Sequence, residues 1–137
     1  MEELIEEGFF SDKDLNCAET ILHAANKVYG WNLSHDALLL SAGFGGGVGG
    51  QELLCGALTG GVMALSKLFV HDRGHESDLI KRITQDYFSL FEKEMGHIDC
   101  VPLKEDYRTE KEGCRKVILA SARCFDRVVE KYRKEIA

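Results

Sequence analysis

Apolar residues recur along this chain at intervals of three and four, the spacing of helices with one buried face. The longest run is the last. Cys114, Ile118, Ser121, Phe125, Val128 and Tyr132 alternate steps of four and three, which predicts a packed helix over about residues 110–134. Leu79, Ile83, Tyr87, Leu90 and Phe91 mark another over about 76–95. Cys17, Ile21, Ala24 and Val28 form the apolar line of an earlier one, capped by Asn16 and stopped after Tyr29 by Gly30. Shorter helices are expected over residues 2–8 and from a Ser34 cap through Leu38 to Ala42. The most apolar stretch, Leu53 to about Val70, reads as a buried central helix. HDRGHE (71–76) and GHIDCVPL (96–103) read as loops, with Pro102 marking a break. The pattern predicts an all-α fold. Its 137 residues suit one domain, a bundle of five or six helices around the glycine-containing helix.

Composition narrows the function. Hydrophobic residues make up 45%, enough for a core and too many for a disordered chain. The net charge is −6 and no Lys/Arg run stands out, so nucleic acid is not an expected partner. The opening MEELIEEGFF is acidic and lacks the apolar core of an export signal. The 53–70 stretch contains Thr59, Ser66, Lys67 and several glycines and is short for a membrane span, so no membrane insertion is expected. The expected compartment is the cytoplasm. There the five cysteines, Cys17, Cys55, Cys100, Cys114 and Cys124, favour metal or redox chemistry over structural disulfides.

Residues 43–50 read GFGGGVGG, six glycines in eight positions. Gly45, Gly47 and Gly50 satisfy GxGxxG, and Asp72 lies where a ribose-binding acid would stand. That fingerprint needs a preceding strand and a parallel sheet, and SHDALLLSAG reads instead as a helix. Dinucleotide binding is therefore set aside. Two readings remain. The stretch is a wide turn that lets its flanking helices approach, or the amides of Gly45, Gly46 and Gly47 face a bound anion or cluster sulfur.

A second glycine group surrounds Cys55 in LLCGALTGGVMALS. Each glycine inside a helix costs about 1 kcal/mol relative to alanine. A thiol among them is closely approachable by a cluster, a metal or a neighbouring backbone. Cys17, Cys55 and Cys114 all lie near predicted helix starts, where free amides favour the thiolate. Cys100 is expected in a loop. The spacings, 37, 44 and 13 intervening residues, contain no CxxC knuckle, so they do not by themselves spell a zinc finger or a ferredoxin site. Packing is the plain alternative, since free cysteine often behaves as a small buried hydrophobe. Gly56, Gly60 and Ala64, spaced by four, would then form a smooth seam.

With these residues the chain resembles the C-GCAxxG-C-C family of redox-active proteins. The resemblance rests on Asn16-Cys17-Ala18, the GFGGGVGG stretch, CGALTG at 55–60, GHIDC ending at Cys100, and GCRKVI with Cys114. It covers about residues 2–130, and Cys124 matches no family position. A related domain occurs in split-Soret cytochromes, where an iron–sulfur centre accompanies the haems. This chain has no CxxCH, so covalent haem is not expected. The resemblance implies an iron–sulfur cluster, with zinc as the alternative, held by Cys17, Cys55, Cys100 and Cys114. The expected role is electron transfer or redox sensing with a partner protein the sequence does not name. A metal-free dithiol protein pairing Cys55 with Cys100 or Cys114, and a helical binding module forming a homodimer, are the alternatives.

The remaining chemistry is sparse. His71 and His75 stand four apart but in a polar loop, His97 precedes Cys100 by three, and His23 falls on the flank of its helix. No nucleophile elbow supports a hydrolase.

Overall fold

A computed structural model describes residues 1–8 and 10–137. Its described residues form an all-helical fold: α1 (Glu2–Glu6), α2 (Cys17–Tyr29), α3 (His35–Leu39), α4 (Gly56–Phe69), α5 (Leu79–Met95), α6 (Cys100–Tyr107) and α7 (Arg115–Lys131). Short 3₁₀ turns cover 42–44, 74–76 and 133–135.

The expected elements are present, with several differences in extent. Seven α-helices replace five or six, because α6 begins inside the segment read as a loop. Pro102 is its third residue. The first amides of a helix have no partner within it, so a proline there removes no hydrogen bond. The helix expected from 110 starts at Arg115, because Thr109 and Gly113 close a turn by exchanging backbone hydrogen bonds of 3.2 and 2.7 Å. Gly113 adopts a φ of +58° there. α3 stops at Leu39, α1 at Glu6, and α5 begins at Leu79. Val28 is 45% exposed, not in the apolar line assigned to it. α2 instead buries Ala18, Ile21, Leu22, Ala24 and Ala25.

α4 is the centre, packed on α2, α5 and α7, with its most extensive contact on α2. Leu58, Ala64 and Leu65 are fully buried, and Phe69 nearly so. α5 contributes Ile83, Tyr87 and Phe91, and α7 contributes Ala120, Phe125 and Val128. The glycines of α4 face its neighbours. A Cβ at Gly60 would lie 2.5 Å from the Ala18 carbonyl oxygen and 2.9 Å from its Cα. A Cβ at Gly61 would meet the Tyr87 ring and hydroxyl. The seam reading of the CGALTGG glycines therefore holds for Gly60, which lets α2 and α4 approach backbone to backbone.

The buried polar side chains among the described residues all have hydrogen-bond partners. Ser121 Oγ donates to the Ala57 carbonyl at 2.9 Å, and the Tyr87 and Ser121 hydroxyls share a 2.6 Å hydrogen bond. Ser41 Oγ donates to the Leu38 carbonyl at 2.8 Å.

Because the atoms facing Gly60 are backbone, they cannot turn aside. Gly60→Ala should lower the unfolding free energy by about 1–3 kcal/mol, read from urea denaturation. Gly74→Ala, at a position open to solvent on every side, should change it far less.

Candidate functional site

Each of the four motif cysteines stands at a helix start. Cys17 and Cys100 are the first residues of α2 and α6, and Cys55 and Cys114 are the N-caps of α4 and α7. The expected placement of Cys100 in a loop is thus corrected, for the reason given at Pro102. The positive ends of four helices accompany the four sulfurs.

Local hydrogen bonds fix these positions. Asn16 and Glu19 form a reciprocal capping box, with bonds of 2.9 and 3.0 Å, that starts α2 just before Cys17. Asn16 Nδ2 also donates to the Ala42 carbonyl at 2.9 Å, tying this start to the glycine stretch. Cys55 and Cys100 are clamped together by a short antiparallel pairing around Leu54 and Asp99. The Cys55 amide donates to the Ile98 carbonyl at 2.9 Å, and the Cys100 amide to the Leu53 carbonyl at 2.6 Å. Gly56 presses against Cys17, whose Sγ would lie 2.5 Å from an added Cβ.

Cys17, Cys55, Cys100 and Cys114 all line one cavity of about 690 Å³. Ile5, Phe10, Leu15, Leu103, Val117 and Ile118 supply much of its apolar wall. Cys124 lies outside it, fully buried on α7, with its Sγ 3.5 Å from Glu94 Oε2. As the sulfurs stand, no group of three or more His, Cys, Asp or Glu side chains among the described residues is placed to hold a metal ion.

Of the glycines expected to bind a cofactor, Gly46 lines the cavity. Gly45 packs on the Asn16 side chain, and Gly47, at φ +72°, packs on the Leu53 amide and Cys100 Cβ. The amides of Val48, Gly49, Gly50 and Gln51 donate to carbonyls of the same stretch. Those of Gly46 and Gly47 make no backbone hydrogen bond among the described residues.

The thiols differ in environment. Burial pushes the Cys55 thiol up from 9.0 to about 12, against the pull of the Leu58 and Ala57 amides, and neighbouring Cys17 and Cys100 add to the rise. Burial also raises Cys100, opposed by Lys104. The helix-start argument for a ready thiolate is therefore overridden at Cys55, because desolvation outweighs two amides. Cys17 and Cys114 are only half-buried. Arg108 Nη1 lies 3.5 Å from Cys114 Sγ.

The histidines stand apart from this cavity. His97 pairs with Asp106 at 3.2 Å, His71 and His75 are exposed, and His23 is half-buried with its pKa lowered by desolvation. What the residue pattern did not single out is the basic edge: Lys104, Arg108, Lys111 and Arg115 all line the cavity. Their spacing of four, three and four was a legible signal, masked by the acids interleaved with them.

Residues 15–128 match the family described as "Putative redox-active protein (C_GCAxxG_C_C)". The chain belongs to this family. The motif spelled GCAxxG in the family label stands here as Cys55-Gly56-Ala57-Leu58-Thr59-Gly60, with cysteine before glycine. Neither the curated proteins nor the solved structures contain a match to the chain. No helix among the described residues is long and apolar enough to cross a membrane.

The buried thiols give the metal-free protein an alkaline limit. In the unfolded chain Cys55 and Cys124 ionise near 9, whereas in the fold both are pushed up to about 12 by burial. The unfolded state then binds fewer protons, so stability is fully present below pH 9 and falls as pH rises toward 12. Tyr87, also raised by burial, acts in the same direction at higher pH. Urea denaturation of the reduced protein should show a decline of up to about 1.4 kcal/mol per pH unit for each thiol. Cys124→Ala should make the decline shallower.

Proposed function

We propose that this protein carries electrons or senses redox state through an iron–sulfur cluster held by Cys17, Cys55, Cys100 and Cys114. The carrying observation is that four cysteines from four helix starts, far apart in sequence, wall one cavity. Metal coordination deprotonates a thiol outright, which gives Cys55 a role that its buried, protonated state denies it as a free nucleophile. The helix starts supply partial positive charge against four thiolates. The Gly46 and Gly47 amides supply donors, and hydrogen bonds to sulfur help set a cluster's potential. Apolar side chains form much of the remaining lining.

A bound cluster would supply one-electron chemistry; the protein supplies ligands, charge and a dry shell. Zinc, held tetrahedrally by the same four thiolates, is the alternative metal.

A specific observation favours the second reading, a metal-free thiol protein. Cys114 is half-buried with Arg108 beside its sulfur, the electropositive and accessible setting of a reactive thiol. In that case Cys114 is the attacking thiol, and Cys55 is the poorer nucleophile.

Iron, zinc and acid-labile sulfide measured on protein purified without oxygen separate the two. Stoichiometric iron and sulfide are expected, lost in Cys55→Ser and retained in Cys124→Ala. Protein without iron or sulfide, losing two thiols reversibly on mild oxidation, would replace the cluster with the thiol reading.

A further inference from the structure

The cavity is larger than four thiols and an inorganic core require. Its volume of about 690 Å³ falls in the range of small-molecule sites, about 300–1,000 Å³. Its lining combines sulfur and hydrocarbon with the cationic side chains of Lys104, Arg108, Lys111 and Arg115. In a chain with 23 acidic and 17 basic residues, such a concentration of positive charge is a local departure.

These charges are not equally committed. Lys104 is matched by Glu52 at 3.1 Å. Arg108, Lys111 and Arg115 form no ion pair among the described residues. Arg108 approaches Cys114 Sγ, and Arg115 Nη2 donates to the Glu6 carbonyl at 2.9 Å, which leaves further donors on both guanidinium groups. Lys111 sits on the closed turn between Thr109 and Gly113, which is also held by the Glu112 amide donating to Thr109 Oγ1 at 3.0 Å. Asp14 and Glu112 are the carboxylates lining the same cavity, so the three unpaired cations exceed the acids that face them.

We infer that this cavity binds a small oxyanion, a carboxylate or phosphate group of a compact molecule, between Arg108, Lys111 and Arg115, with the rest of that molecule directed toward the cysteines. Guanidinium groups hold such oxygens through paired hydrogen bonds, and the lysine adds a point charge. The apolar wall would take the uncharged part. The inference goes beyond the cluster reading and does not depend on it, because the cations and the volume are present whatever the sulfurs hold. A basic edge serving only to offset thiolate charge would attract anions without saturating.

Saturable protection decides between these. The full chain, reduced and metal-free, is treated with iodoacetamide, and alkylation of Cys114 is followed by peptide mass spectrometry. Inorganic phosphate and succinate are each compared with sodium chloride at equal ionic strength. One of them should slow alkylation about tenfold when present at roughly ten times its Kd. The same anion should raise the melting temperature of the protein as purified, cofactor included. Lys111→Gln with Arg115→Gln should abolish protection, while Lys81→Gln with Arg82→Gln, the same charge change on α5, should keep it. Protection by phosphate identifies a phosphorylated ligand, and protection by succinate a carboxylate. Because Arg115 also supports Glu6, a lowered melting temperature of the double variant would pass the decision to Lys111→Gln alone, whose side chain has no ion pair among the described residues. Anions acting no more strongly than chloride, or protection that survives loss of Lys111, would overturn the inference.

Discussion

The close approach of α4 to α2 sets the position of everything at the cysteine end of the molecule. At Gly60 the two backbones meet with no side chain between them, and at Gly56 the contact is with the Cys17 sulfur itself. Two glycines one turn apart thus bring the start of α2 against the start of α4. Cys17 and Cys55 follow from that contact, because they occupy those two starts. A β-carbon at Gly56 would also collide with the Phe44 carbonyl oxygen, at 2.7 Å, so the glycine stretch is drawn into the same junction. Helix propensity is given up in α4, and burial on three sides offsets the loss.

The other two cysteines are brought in by different means. Cys100 arrives through backbone hydrogen bonds between the segments before α4 and α6, a pairing of only a few residues. Cys114 arrives at the end of a closed turn that links α6 to α7. Four thiols, three kinds of restraint and one cavity result. The arrangement joins a deeply buried thiol, Cys55, to more accessible ones at Cys17 and Cys114. A redox centre benefits from that division: burial excludes water from the ligands, while the accessible side leaves a route for a partner or a small molecule.

Much of this was legible from residue order. The 3.6-residue periodicity located α2, α5 and α7, the most apolar stretch located α4, and the Asn16 and Ser34 caps and the Gly30 stop stand where expected. That four cysteines share one site was an implication of the family resemblance, since their long spacings contain no ligand knuckle. Boundaries were less legible where local signals conflict. Pro102 reads as a breaker, yet it is harmless in a first helical turn. Val28 fits an apolar stripe by spacing, yet it stands exposed near the end of α2. The basic edge escaped because Lys104, Arg108, Lys111 and Arg115 alternate with acids and look like a solvated surface.

The sequence by itself determined the helical class and the helix starts at Asn16 and Ser34, because periodicity and capping are local properties. Tertiary structure alone decided that the sulfurs line one cavity together with four basic side chains. It also decided that Cys55 is held protonated by burial despite lying at a helix start. Convergence and desolvation depend on which segments meet across long separations, and no local pattern encodes the volume left between them.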